Sequence, residues 1–286
     1  METNPSRITR PAGLYTTIYV VDTGIHINHA DFGGRAYKGA NYAPDNVLAG
    51  HPPRSDEDYN GHGTSVAGLA AGFRYGAAKR ALVVDVRIFN DNGSTSYADE
   101  IAGIDWAVND ASRRNTIRSS VMNLSFGGFD VGTADALSSA VRSAVNSGLF
   151  TTVASGNDRI NAAYFTPANV AEACTIGGTD ANDNEYYYSN YGNLVDLWAP
   201  GSNITAPAAT SDFAVKQVYG TSFAAPLVAG VAAIFKSYGT EYTNYSPQEF
   251  CTYLGQTIGT KGVLTFQSYG GDFPGPNILL YDGSGA

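Results

Sequence analysis

The feature that most narrows the choice of fold is a series of short, nearly unbroken apolar runs rich in valine and isoleucine, separated by stretches of helical pattern. Ile18 to Asp22, Ala81 to Phe89, Val121 to Ser125, Leu149 to Ala154, Cys174 to Gly177 and Val195 to Trp198 read as strands. Runs this short, without polar alternation, are expected of strands covered on both faces, as in a parallel sheet. Helices are predicted near Thr64 to Phe73, Tyr97 to Arg113, Thr133 to Ser147 and Ser222 to Tyr238. A further helix should start at Ser246-Pro247, an N-cap followed by proline at the first helical position. The alternation implies right-handed crossovers and an α/β architecture. Functional groups should then gather where strands end and helices begin.

Two regions break the pattern. Asn41 to Asn60 contains His51-Pro52-Pro53 and the acidic run Asp56-Glu57-Asp58, and reads as a solvated loop. The stretch after Gly259 is irregular, with much glycine, proline and aromatic content. Met1 to Pro11 has no apolar core of the kind a secretory signal carries. The longest uncharged apolar run, Thr221 to Phe235, is too short for a membrane span and contains Pro226. A net charge of −9 gives no basic field to gather a nucleic-acid backbone.

Three segments bear chemistry. Asp22-Thr23-Gly24 ends a strand, and an aspartate there ordinarily caps a turn. Gly61-His62-Gly63-Thr64 opens a helix of very small residues, which can pack tightly against other backbone. Gly220-Thr221-Ser222 opens an apolar helix, where a serine is most often just an N-cap. The free N–H groups at such a helix start also suit a serine that becomes an oxyanion-bearing acyl centre. Pro226 is tolerable there if it falls in the first turn, which needs few backbone donors. Taken together, Asp, His and Ser stand in that order with gaps of 40 and 160 residues. This order differs from those of chymotrypsin and of the α/β-hydrolases.

On these three blocks the chain resembles the subtilase family, most of all its proteinase K-like branch, from about Ile18 to Tyr281. The resemblance implies a three-layer α/β fold with a central, mostly parallel sheet. It also implies one peptidase domain over 1–286, with 1–16 a poorly matched arm and 17–282 the catalytic core. Its activity would be that of a serine endopeptidase: Ser222 the nucleophile, His62 the general base, Asp22 the carboxylate that orients the base. Ala154-Ser155-Gly156-Asn157 matches the segment whose asparagine donates its side-chain amide to the oxyanion. Ser125-Phe126-Gly127-Gly128 resembles the strand end that pairs with substrate and opens the S1 pocket, and Gly93, Ser94 and Thr95 resemble the edge that binds residues upstream of the cut. Without the family, each would be a Gly-rich turn. The open pocket, with Phe126 on its wall, predicts broad cleavage after apolar or aromatic residues.

No cofactor is implied for catalysis. Spacing alone cannot pair Cys174 with Cys251, but the resemblance implies that they form a disulfide and that the protein is secreted. It also implies a structural calcium on Asp196 with the backbone oxygens of Ala171 and Ala173. Protein or peptide substrates, an inhibitory pro-domain in the precursor and a monomeric state follow from the same source; nucleic-acid and membrane partners do not. His26, His29 and His51 lack ligand spacing and read as surface residues. Two rival functions are a ligase or cyclase using the same acyl-enzyme, and a non-catalytic binding protein on this scaffold.

Overall fold

The computed structural model describes residues 12–44, 55–130, 132 and 135–280. Its strands are β1 (Thr17–Asp22), β2 (Ala36–Asn41), β3 (Leu82–Arg87), β4 (Ser120–Leu124), β5 (Gly128–Phe129), β6 (Phe150–Ala154), β7 (Phe165–Thr166), β8 (Cys174–Thr179), β9 (Leu197–Pro200), β10 (Ile204–Pro207), β11 (Val215–Val218), β12 (Thr260–Lys261) and β13 (Ile278–Leu279). The helices are α1 (His62–Ala71), α2 (Tyr97–Arg113), α3 (Asp135–Asn146), α4 (Thr221–Lys236), α5 (Thr240–Thr243) and α6 (Pro247–Tyr253). The main sheet has the order β12-β13-β9-β8-β6-β4-β1-β3-β2. Every pairing in it is parallel except β12 with β13.

Period-two side-chain alternation along β1 divides the interior. Ile18 and Val20 point into one core with α1 and α4, while Tyr19 and Val21 point into the other with residues of α2 and α3. Helices therefore cover both faces, giving three layers, and all six strands anticipated from sequence are present. Beside β1 the chain winds outward to β3 on one side and to β4 on the other. The crevice beyond the carboxyl ends of β1 and β4 is thus a topological switch point, the usual place for a site in such sheets.

Glycine sets how closely the helices approach. A Cβ on Gly230 of α4 would overlap the Ala70 carbonyl of α1, and one on Gly68 would lie 2.5 Å from Pro207.

Several expectations need correction. β2, which was not anticipated, runs up to Asn41, where the presumed loop begins; its sequence Ala-Tyr-Lys-Gly-Ala-Asn is polar because it is an exposed edge. The β10–β11 hairpin had no clear apolar signal either. Asp58 is not solvated but 4% exposed. His29 is buried as well, its Nδ1 accepting the Asp31 N–H and its Nε2 bonding the Ala214 carbonyl. His26 is partly exposed and pairs with Asp212 at 2.7 Å. Pro226 lies beyond the first turn of α4, at its sixth residue. Thr133, His51, Met1 to Pro11 and Tyr281 lie outside the described residues.

Candidate functional site

Asp22 ends β1 and is 1% exposed. Its Oδ1 accepts the Thr23 N–H at 2.7 Å and bonds His62 Nδ1 at 2.8 Å. His62 is the first residue of α1. Gly63 lets that helix reach the strand end, because a Cβ there would lie 3.1 Å from Asp22 Oδ1 and overlap the Gly24 carbonyl.

The free N–H groups at the start of α1 find partners in three side chains, with His62 N donating to Asn60 Oδ1 at 3.3 Å. Thr23 Oγ1 accepts from Gly63 N at 2.9 Å and donates to Asp58 Oδ1 at 2.8 Å. Asp58 accepts from Gly61 N, Thr64 N and Thr64 Oγ1 at 2.8, 2.9 and 2.6 Å. A carboxylate at this positive helix end is electrostatically well placed. Asp58 was missed in the sequence because an acidic run normally marks a solvated surface; its spacing three residues before the Gly61 N-cap was the available signal.

Burial acts against protonation of His62. The Asp22 carboxylate, through charge and hydrogen bond, more than offsets this, and Asp58 adds to it; Lys216 opposes them. The net effect raises the imidazole above its ordinary value. Lys216 also donates to the Gly61 carbonyl at 3.1 Å.

Ser222 is the second residue of α4. Its hydroxyl donates to the Ser125 carbonyl at 3.2 Å, and the Ser125 hydroxyl donates to the Ser222 carbonyl at 2.7 Å. Pro226 explains the second bond. It has no N–H to give to the carbonyl four residues back, which is that of Ser222, so this acceptor is left for Ser125. Phe223 packs on the His62 ring, with centroids 5.2 Å apart.

Asn157 follows β6. Its Oδ1 accepts Thr221 N at 2.9 Å and Thr221 Oγ1 at 3.3 Å. The Thr221 hydroxyl in turn accepts Gly156 N at 3.2 Å. The amide oxygen is thus turned to the start of α4.

Asp22, Thr23, Asn60, His62, Phe89, Gly93, Ser125 and Phe126 line one cleft of about 240 Å³. This unites the Asp22 and His62 segments with Ser125-Phe126 and the edge at Gly93, and Ser222 is tied to it through its hydrogen bonds with Ser125. Ser94 and Thr95 belong to the adjoining turn: Ser94 N donates to Asn90 Oδ1 at 3.0 Å, and Thr95 Oγ1 to the Ile88 carbonyl at 2.6 Å. Gly127 and Gly156 approach the same ring, that of Phe165; a Cβ on either would come within 2.9 Å of it. Phe165 therefore sits between the Ser125–Gly128 and Ala154–Gly156 segments, a place nothing in its local sequence announced. The Ser155 hydroxyl bonds inward to the Asn190 carbonyl at 3.2 Å, and Ser155 is fully buried.

Away from the cleft, Cys174 and Cys251 form a disulfide between β8 and α6, with Cα atoms 5.7 Å apart. Asp196 lies beside it. Its Oδ2 accepts Thr175 N at 2.8 Å. Burial pushes its carboxyl up to about 7 against that single backbone bond. Gln248 Nε2 donates to the Ala171 carbonyl at 3.4 Å. A carboxylate oxygen is the kind of donor a hard cation takes, and the neighbouring disulfide sulfurs are not.

Residues 13–270 match the model of the subtilase family of peptidases. The chain belongs to that family. It is 39% identical over 275 residues to proteinase T of Parengyodontium album, an alignment covering 96% of this chain and 86% of that protein. It is also 39% identical to an extracellular serine proteinase of Thermus sp. (strain Rt41A), covering 92% of this chain. The chain spans 58% of that protein's length, and 62% of subtilisin-like protease 4 of Trichophyton rubrum. The crystal structure of a cold-adapted subtilisin-like serine proteinase is similar with a TM-score of 0.80 at 35% identity, covering 95% of this chain and 90% of that one.

Proposed function

We infer that this subtilase chain is a serine endopeptidase that hydrolyses proteins through an acyl-enzyme on Ser222. The observation that carries the reading is the His62 Nδ1–Asp22 Oδ1 bond in a cleft that also holds Ser125, whose carbonyl accepts the Ser222 hydroxyl. Attack exchanges that 3.2 Å bond for one to His62 Nε2, which takes the proton and later returns it to the leaving amine. Asp22, held by Thr23 N, fixes the imidazole tautomer so that Nε2 faces the reaction. The Asn157 amide nitrogen and the Ser222 backbone N–H hold the oxyanion. The subtilase reaction needs no cofactor.

Backbone of Ser125, Phe126, Gly127 and Gly128 faces backbone of Ala154, Ser155 and Gly156 across the P1 side chain, with Phe165 beneath. Gly93, Ser94 and Thr95 take upstream residues. An apolar, aromatic-floored pocket favours apolar or aromatic P1 residues. Hydrolysis is preferred to ligation because the relatives are named proteinases.

The chain acts as one catalytic domain and as a monomer. It is secreted and made behind an inhibitory pro-domain; the disulfide and the extracellular relative support export. A structural calcium is held by Asp196 with the carbonyls of Ala171 and Ala173. Casein digestion by wild type beside Ser222→Ala tests the central claim. New hydrolysed ends made by wild type alone support it; equal cleavage by the variant, or joined peptides as the main product, overturns it.

A further inference from the structure

Asn157, Asp158 and Arg159 are exposed, so the loop that carries the oxyanion amide lies at the surface. An exposed loop can hold a donor to a fraction of an ångström only if it is anchored from beneath. Beside the bonds that Thr221 makes with Asn157 and Gly156, the loop is tied along its length by one fully buried residue, Asn190. Its Nδ2 donates to the Ser155 carbonyl at 2.9 Å, before Asn157 in the chain. Its Oδ1 accepts the N–H groups of Asp158 and Ile160 at 3.0 and 3.1 Å, after Asn157. Its backbone N–H donates to the Gly156 carbonyl at 2.9 Å, and its own carbonyl accepts the Ser155 hydroxyl at 3.2 Å. Every polar group of Asn190 thus bonds the 155–160 loop, and the bonds fall on both sides of Asn157.

Two further details support specificity for asparagine. Gly156 has φ +106°, and a Cβ there would overlap the Asn190 amide, so the loop backbone lies directly on that side chain. The planar amide pairs an NH₂ donor group with a twofold acceptor, meeting one carbonyl and two N–H groups; aspartate lacks the donor and leucine lacks both. Neighbouring backbone pairs, Arg159 N to the Tyr188 carbonyl at 3.1 Å and Tyr191 N to the Ile160 carbonyl at 3.0 Å, continue the same brace.

We propose that Asn190 is a positioning residue for catalysis, holding the Asn157 amide at the oxyanion site through the loop that it clamps. The proposal rests on the oxyanion reading of Asn157. Asn190 touches no substrate, and it acts only through Asn157.

The test is a double-mutant cycle in the full chain, read as kcat on a peptide substrate, with folding of each variant checked by thermal unfolding. Asn190→Ala should lower kcat roughly 10- to 100-fold, part of the loss expected when an oxyanion donor is removed outright. In the Asn157→Ala background the same change should cost less than about threefold, because there is no longer an amide to position. Multiplying losses would overturn the proposal while leaving the oxyanion reading intact. An Asn157→Ala variant with unchanged kcat would instead sink the oxyanion reading itself. Asn190→Ser, a milder change without buried charge, is read if Asn190→Ala does not fold. If neither folds, Asn190 is purely a core residue and the proposal fails.

Discussion

Asn157 Oδ1 accepts the backbone N–H of Thr221 at 2.9 Å, so the residue before Ser222 decides which end of the Asn157 amide is turned away from α4. Asn157→Asp keeps that acceptor but puts a second, acceptor-only oxygen where the NH₂ stood. Its kcat should fall at least as far as that of Asn157→Ala, by about 10²- to 10³-fold, a magnitude established in subtilisin itself. Steady-state kinetics of the two variants side by side provide the check. An Asn157→Asp enzyme faster than Asn157→Ala contradicts the assigned orientation.

Ser222→Ala and His62→Ala should each lower kcat by about 10⁶-fold, and Asp22→Ala by about 3 × 10⁴-fold, as in subtilisin. The double variant Ser222→Ala/His62→Ala should be no slower than either single one, since the groups act as a unit. A sulfonyl fluoride should modify Ser222 in the folded protein. Mass spectrometry of the labelled peptide locates the adduct, and an adduct elsewhere refutes the nucleophile.

The pH profile should carry the imprint of Asp22. His62 must be neutral to take the Ser222 proton, and its folded pKa is raised. The base form therefore accumulates only above that raised value, and the acid limb of kcat/KM should lie above the ordinary 6.5. Removing the main upward influence, in Asp22→Asn, should move the limb to lower pH while slowing the enzyme. Removing an opposing charge, in Lys216→Ala, should move it higher. Limbs that stay put in both variants would show that another group titrates.

The parts legible in sequence and the parts missed differ in where their partners lie. Buried strands such as Ile18–Asp22 announce themselves because both faces need apolar side chains. The edge strand Ala36–Asn41 does not, since solvent accepts its polar residues. Asp22, His62 and Ser222 stand in short blocks with tell-tale glycines. Asp58 and Asn190 carry no such flag; their environment is made by chain 35 residues away or by a helix start whose polarity is invisible in composition. The Asp56-Glu57-Asp58 run also misleads, because three identical charges conceal one buried cap.

Calcium should stabilise the protein. With free calcium about 100-fold above Kd, linkage gives about 2.7 kcal/mol, or a Tm rise of roughly 5–10 °C for a chain of this size. A chelator should reverse the rise, and Asp196→Asn should abolish the dependence. Calorimetry on the Ser222→Ala background avoids self-digestion. A Tm indifferent to chelator would remove the site.

Lys236 is 3% exposed, donates to the Arg118 carbonyl at 2.8 Å and sits 4.9 Å over the Phe250 ring. Burial, with Arg118 nearby, pushes its ammonium from 10.5 down to about 8. Between about pH 8 and 10.5 the unfolded chain holds a proton there that the folded one has released, so this group makes stability rise with pH. The gain is at most about 3 kcal/mol, and the ring contacts, which favour the charged form, reduce it. Lys236→Met should flatten that part of the curve relative to the parent. The same change in unfolding free energy between about pH 7.5 and 10.5 for parent and variant, measured by chemical denaturation, would contradict the assignment.

The contact between Gly230 and Ala70 bears on how this enzyme could be hardened. Replacing a helical glycine with alanine is a common route to stability, worth about 1 kcal/mol where space allows. Here the added methyl would push α4 off α1, and these helices begin at Ser222's turn and at His62. A wedge two turns away would thus separate Ser222 from His62, the proposed nucleophile and base. Engineers seeking a longer-lived protease would do better to leave this helix crossing alone and work on the periphery.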